Sequence, residues 1–96
     1  VRLSFHPEAE QELLHSITYY ENKSAGLGTE FLEEIGKTLD LIKSFPELGS
    51  PFTNADRRML LNRFPFSIIY SIHRDHIIIY AFMHLHRKPG YWQIRR

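Results

Sequence analysis

His84, Arg87 and Tyr91 fall close together near the end of a 96-residue chain. These side-chain types can divide a phosphoryl-transfer reaction between them. A guanidinium holds phosphate oxygens in a two-pronged grip, and an imidazole or a phenol moves a proton. Where a neighbouring 2′-hydroxyl of RNA is the nucleophile, such a set needs no metal. Arg58, Arg63, Lys88, Trp92 and Arg95 add cations and an aromatic ring, the groups that track a nucleic-acid backbone and stack a base. The same residues also have a plain structural reading. His84 ends a strand, Arg87 pairs with an acid, and Tyr91 and Trp92 pack on a sheet. Residue types alone leave both readings open.

Other chemistries are excluded more firmly. The chain has no cysteine, which removes disulfides, thiolate metal sites and a cysteine nucleophile. His84 and His86 are spaced to share a strand face, but no third ligand follows, because Asp75 is the only acid after Arg57. No metal and no cofactor are expected. There is no glycine-rich phosphate loop, nucleophile elbow or Ser/His/Asp order. The carboxylates of the N-terminal half sit at helix-surface spacing and read as solvated faces.

The formal net charge of +1 conceals a division. Up to Asp56 there are four basic residues against ten acidic ones, and from Arg57 onward eight basic residues against one acid. Seven of those eight are arginine, whose planar fork suits phosphate and carboxylate. The division points to nucleic acid or an acidic protein segment as a partner of the basic half. Acidic helix surfaces beside a basic sheet edge that discourages edge pairing would give the same pattern.

The elements that must position these residues follow from periodicity. Arg2 to Phe5 alternates as a short strand. Pro7 opens a helix whose apolar stripe is Ala9, Leu13, Ile17 and Tyr20, broken near Gly26. A second helix carries Leu27, Phe31, Ile35, Leu39 and Ile42 and stops by Phe45, ahead of Pro46. The short linker makes the two an antiparallel hairpin. A turn cluster and polar loop then lead to strands over about 57–62, 66–73 and 76–84, the last two joined by Arg74-Asp75 without the usual glycine. The expectation is a single α+β domain over 1–96, β-α-α-β-β-β, with the helix hairpin on one face of a small, mainly antiparallel four-stranded sheet. No apolar run approaches the ~20 residues of a membrane span. The chain enters a strand pattern at once, so no leader is expected, and a cytoplasmic location fits.

Strict alternation puts Ile77, Ile79, Ala81 and Met83 on one face of the last strand, and Ile78, Tyr80, Phe82 and His84 on the other. The helix hairpin can cover only one face. Ile69, Ile78, Tyr80 and Phe82 then make a second apolar face that needs its own cover. A partner chain, a second copy or the C-terminal tail would each serve.

The order of these pieces resembles the RelE/ParE superfamily of toxins from type II toxin–antitoxin modules, in particular members described as plasmid stabilisation proteins. The matching pieces are Phe5-His6-Pro7-Glu8-Ala9, Tyr19-Tyr20, Gly26-Leu27-Gly28 with Phe31, and Phe45-Pro46 followed by Gly49. They continue through Arg63-Phe64-Pro65-Phe66-Ser67-Ile68-Ile69-Tyr70 and the Ile77–Met83 strand to His84-Leu85-His86-Arg87-Lys88-Pro89, Tyr91-Trp92 and Arg95. The resemblance implies the β-α-α-β-β-β fold and a growth inhibitor neutralised by a cognate antitoxin with an acidic, partly disordered segment. It makes Ile69, Ile78, Tyr80 and Phe82 the antitoxin-binding face. It also implies one of two targets. ParE-like members poison DNA gyrase and RelE-like members cut mRNA on the ribosome. The latter would use Arg87, His84 and Tyr91, with Arg58, Arg63, Lys88, Trp92 and Arg95 in support. Ser67, with Leu60 and Leu61, stands where basic residues would serve a nuclease, which tilts the expectation toward gyrase. A degenerate module that only binds its antitoxin is the third alternative.

Overall fold

Two antiparallel helices lie across one face of a sheet in the computed structural model, which describes residues 1–95; Arg96, the last of the basic residues counted above, lies outside them. Strand β1 is Arg2–Phe5 and helix α1 is Pro7–Lys23. The His6 imidazole accepts the Glu8 amide as a cap, and Pro7 takes the first turn, where its missing N–H costs nothing. Helix α2 is Leu27–Ser44. Its N-terminus lacks a cap from its own Gly26; the Glu21 carboxylate of α1 accepts the Gly26 and Gly28 amides at 2.8 and 3.0 Å instead. Gly28 also sits where a Cβ would come 2.7 Å from the Ile17 carbonyl oxygen, so the close approach of the helices requires glycine.

The sheet corrects the expected strand count. A two-residue strand β2, Ser50–Pro51, pairs with β3, Arg57–Leu60, and makes the sheet five-stranded in the order β1-β5-β4-β3-β2. The sequence hides β2 because Ser50-Pro51 carries turn residues, and proline is tolerated there only because the strand is an edge. The sheet is mixed: β1 runs parallel to β5, His76–His84, whereas β4, Phe66–His73, is antiparallel to both its neighbours. The β4–β5 turn puts Arg74 at φ 59, a left-handed conformation taken without glycine.

Phe31, Ile35, Ile42, Ile68, Tyr70, Ile77 and Ile79 form the core between helices and sheet. The Tyr70 hydroxyl reaches through it to the loop after α2, donating to the Pro46 carbonyl at 2.6 Å and accepting the Gly49 amide. Among the described residues no helix is long and apolar enough to cross a membrane.

Candidate functional site

The alternation of β5 is broken at its centre. Tyr70 pairs with Ile79 but Ile69 pairs with Ala81, so Tyr80 is the extra residue of a β-bulge. Every side chain beyond it changes face. Phe82 joins the helix-side core, and His84 lies edge-on to Phe66 with ring centroids 5.1 Å apart. Ala81 and Met83 turn to the opposite face, where Ile69 and Tyr80 lie. The expected second face is therefore rebuilt: Phe82 leaves it, and Ala81 and Met83 enter it.

The C-terminal tail covers that face. Trp92, in a short 3-10 turn over Tyr91–Arg95, is fully buried against Ile69, Tyr80, Ala81 and Met83. Its indole N–H donates to Asp56 at 2.9 Å and its ring stacks on Phe52 at 5.7 Å, with the half-buried Arg58 guanidinium 4.5 Å over the other ring of that stack, Phe52. Trp92 thus has no free face for a base.

Glu12 gathers the remaining tail residues. Beyond Phe5 the edge of β5 has no neighbouring strand, and side chains take over its backbone groups. The Phe82 amide donates to Glu12 at 3.0 Å and the Tyr80 carbonyl accepts from Arg95 at 2.8 Å. Glu12 and Arg95 also grip each other through two hydrogen bonds, at 2.9 and 3.1 Å, with side chains only 14% and 7% exposed. Arg87 reaches the same carboxylate at 3.3 Å and lies 3.4 Å over the Tyr91 ring, with Arg95 at 5.0 Å from it. Burial first, and then the negative charge of Glu12, push the Tyr91 phenol well above its ordinary range. A phenol so held is a poor base near neutral pH. Glu12 was not legible as part of any site; its place off the apolar stripe reads as solvated, and its carboxylate's partners are seventy or more positions away.

The three candidate catalytic groups do not converge. Arg87 and Tyr91 belong to the cluster around Glu12, whereas the His84 ring packs on Phe66; the link is through the backbone, where the Arg87 amide donates to the His84 carbonyl at 3.0 Å. His84 lines a cleft with His15, Ser16, Tyr19, Tyr20 and Phe66. Its Nδ1 accepts the His86 amide at 3.1 Å, which leaves the ring proton on Nε2. Of the other expected binding residues, Arg63 is exposed and paired with Glu30 at 2.9 Å, and Lys88 is exposed. Ser67 is fully buried, and its hydroxyl has no hydrogen-bond partner. Of the expected antitoxin-binding residues, Ile69, Tyr80 and Phe82 are buried within the chain itself and Ile78 is half-buried. Among the described residues, no group of three or more histidine and acidic side chains stands close enough to hold a metal.

Comparison with known proteins bears on this arrangement. No curated protein matches the sequence. Among solved structures, one described as the chromosomal ParDE TA system from P. aeruginosa superposes with a TM-score of 0.77, covering 88% of this chain and 96% of that one. At 18% identity this likeness shows the fold. A family model for the ParE toxin of the type II toxin–antitoxin system, parDE, matches residues 3–89, from β1 through the bulged strand and into the tail. The chain belongs to the ParE toxin family of type II toxin–antitoxin systems.

Proposed function

We propose that this chain, the toxin of a type II pair, inhibits growth by binding DNA gyrase rather than by cutting RNA, and that a cognate antitoxin neutralises it. The observation that carries the reading is the engagement of the groups a nuclease would need. Arg87 and Arg95 are held on Glu12, the Tyr91 phenol is kept protonated, and the His84 ring packs on Phe66 rather than on this cluster. A metal-free RNA cleavage needs a cation on the phosphate and proton-transfer groups within hydrogen-bond reach of one bond. This tail instead forms a closed cluster, which suits a rigid contact surface. Inhibition by binding asks only that such a surface be rigid and complementary.

The test is expression of the chain alone in bacteria, followed by growth, mRNA integrity and plasmid supercoiling, together with a supercoiling assay on purified gyrase. The expected result is growth arrest with intact mRNA and inhibited supercoiling. Codon-positioned mRNA cleavage that is abolished in Arg87→Ala would replace this reading with the nuclease one. Absence of any growth defect would leave a module that only binds its antitoxin.

A further inference from the structure

The cleft beside His84 lies apart from the tail cluster and has a chemistry of its own. It measures about 240 Å³. That is smaller than the ~300–1,000 Å³ of pockets that enclose drug-sized ligands, and it suits one protruding side chain. Its wall is a continuous run of rings. Tyr19 meets Tyr20 at 5.3 Å, Tyr20 meets Phe66 at 6.1 Å, and Phe66 meets His84 at 5.1 Å. Tyr19 remains 52% exposed, which leaves a large aromatic face open at the rim.

The polar groups at the cleft are donors and cations. His84 offers Nε2–H, because its Nδ1 is occupied by the His86 amide. His15 lines the same cleft, and Lys23 lies 5.2 Å over the Tyr19 ring at the opposite end. No carboxylate lines it. The acids on the neighbouring helix turns are committed elsewhere: Glu12 to Arg87 and Arg95, Glu21 to the amides that open α2, and Glu30 to Arg63. No guanidinium lines the cleft, so it offers little positive charge to a phosphate backbone. Apolar walls with a donor at one end and a cation at the other match a hydrophobic side chain carried on a carboxylate-rich segment.

We infer that this cleft, between α1 and the ends of β4 and β5, seats an apolar side chain of an acidic peptide segment. In the toxin–antitoxin reading, on which its biological side rests, the segment belongs to the antitoxin. The seat shares no lining residue with the Trp92 face, so holding the toxin need not disturb Trp92.

The probe is an acetylated, amidated peptide, Glu-Glu-Leu-Glu-Phe-Glu-Glu. Its controls carry Ser in place of Leu and Phe, or Lys in place of Glu, and an oligouridylate is a further competitor. Binding is followed by NMR on the ring signals of Tyr19, Tyr20 and His84. The expected result is saturable shifts confined to those rings, weakened at least about tenfold, or ~1.4 kcal/mol, by the Ser control, by Lys for Glu, and by Tyr19→Ala or His84→Ala. Folding of each variant is checked by its amide spectrum, and the exposed Tyr19→Ala serves where His84→Ala perturbs the strand end. No cleft shifts at concentrations up to about 2 mM overturn the inference. Equal binding of the Lys peptide, or preference for oligouridylate, overturns it too. Growth arrest by the wild-type chain is scored separately. Peptide binding without arrest would sink the toxin reading and keep the seat, whereas arrest without peptide binding would do the reverse.

Discussion

Replacing Glu12 by alanine should be the most damaging single change outside the hydrophobic core. The carboxylate accepts the Phe82 amide, both terminal nitrogens that Arg95 directs at it, and Arg87. Its removal leaves a guanidinium whose side chain is only 7% exposed with just the Tyr80 carbonyl and the more distant, exposed Glu8 carboxylate at 3.8 Å, and it orphans a strand amide that no neighbouring strand can reach. Breaking a buried pair from one side costs about 3–5 kcal/mol, and the lower end applies because Glu12 itself keeps a little solvent access. The orphaned amide adds about 1 kcal/mol, and Arg87, which is half exposed, adds little. The total is ~4 kcal/mol, a large share of the 5–15 kcal/mol that holds a domain together. For a domain of this size it corresponds to a fall in Tm of roughly 15–30 °C. The assay is urea and thermal denaturation followed by circular dichroism on wild type, Glu12→Ala, Arg95→Met and the double variant. The double variant should lose less than the two single losses combined, with a coupling of ~2 kcal/mol or more, because the apolar replacement no longer strands a charge. A Glu12→Ala protein within ~1 kcal/mol of wild type, or single losses that simply add, would refute the account of Glu12 as the group that closes the edge of β5 and holds the tail.

Other positions yield sharper, smaller tests. Trp92→Ala should cost ~3–5 kcal/mol and, where the protein stays folded, expose the face of Ile69 and Met83 to a hydrophobic dye such as ANS; unchanged dye binding would count against the tail as a cover. Gly28→Ala should lose ~1–3 kcal/mol in urea denaturation despite the better helix propensity of alanine, because the new methyl meets the Ile17 carbonyl; a stabilised variant would show that the helices part freely. Ser67→Ala should be neutral or stabilising by up to ~1 kcal/mol, since the buried hydroxyl makes no hydrogen bond, and a clear loss would reveal a partner for it. Burial raises the phenols of Tyr91, Tyr70 and Tyr20 above their ordinary value. The unfolded chain therefore releases these protons first, so stability should hold up to about pH 10 and fall above it. Denaturation midpoints that stay level through pH 11, or three phenols that titrate normally by ultraviolet absorbance, would contradict this.

Much of this fold was legible because local and tertiary demands agree. Ala9 and Leu13 on α1, and Phe31, Ile35 and Ile42 on α2, recur at helical spacing, and these residues are the ones the sheet buries. Pro7 and Pro46 mark a helix start and a helix end for backbone reasons alone. What escaped the sequence depends on distant partners. The strand Ser50–Pro51 exists only because β3 lies beside it. Glu12 is indistinguishable from its exposed neighbour Glu8 until the tail returns across α1. The tail's basic and aromatic composition reads equally as a nucleic-acid surface or as a buried strap, and only the geometry of Trp92 on Asp56 and Arg95 on Glu12 separates the two.

The extra residue in β5 has a further implication. A strand stores the assignment of inside and outside as a phase, and Tyr80 resets that phase once along the strand. Were the strand to keep this residue without bulging, strict alternation would deliver Met83 to the helices and His84 to the face of Trp92, whereas loss of Tyr80 together with the bulge would leave both where they are. A relative one residue shorter here, with a regular strand, would therefore present the same residues on the same faces. An alignment that slides a gap past position 80 would pair residues that look across the sheet in opposite directions. Within this fold, the bulge that absorbs the extra residue is therefore as much a determinant of surface chemistry as the identity of the side chains.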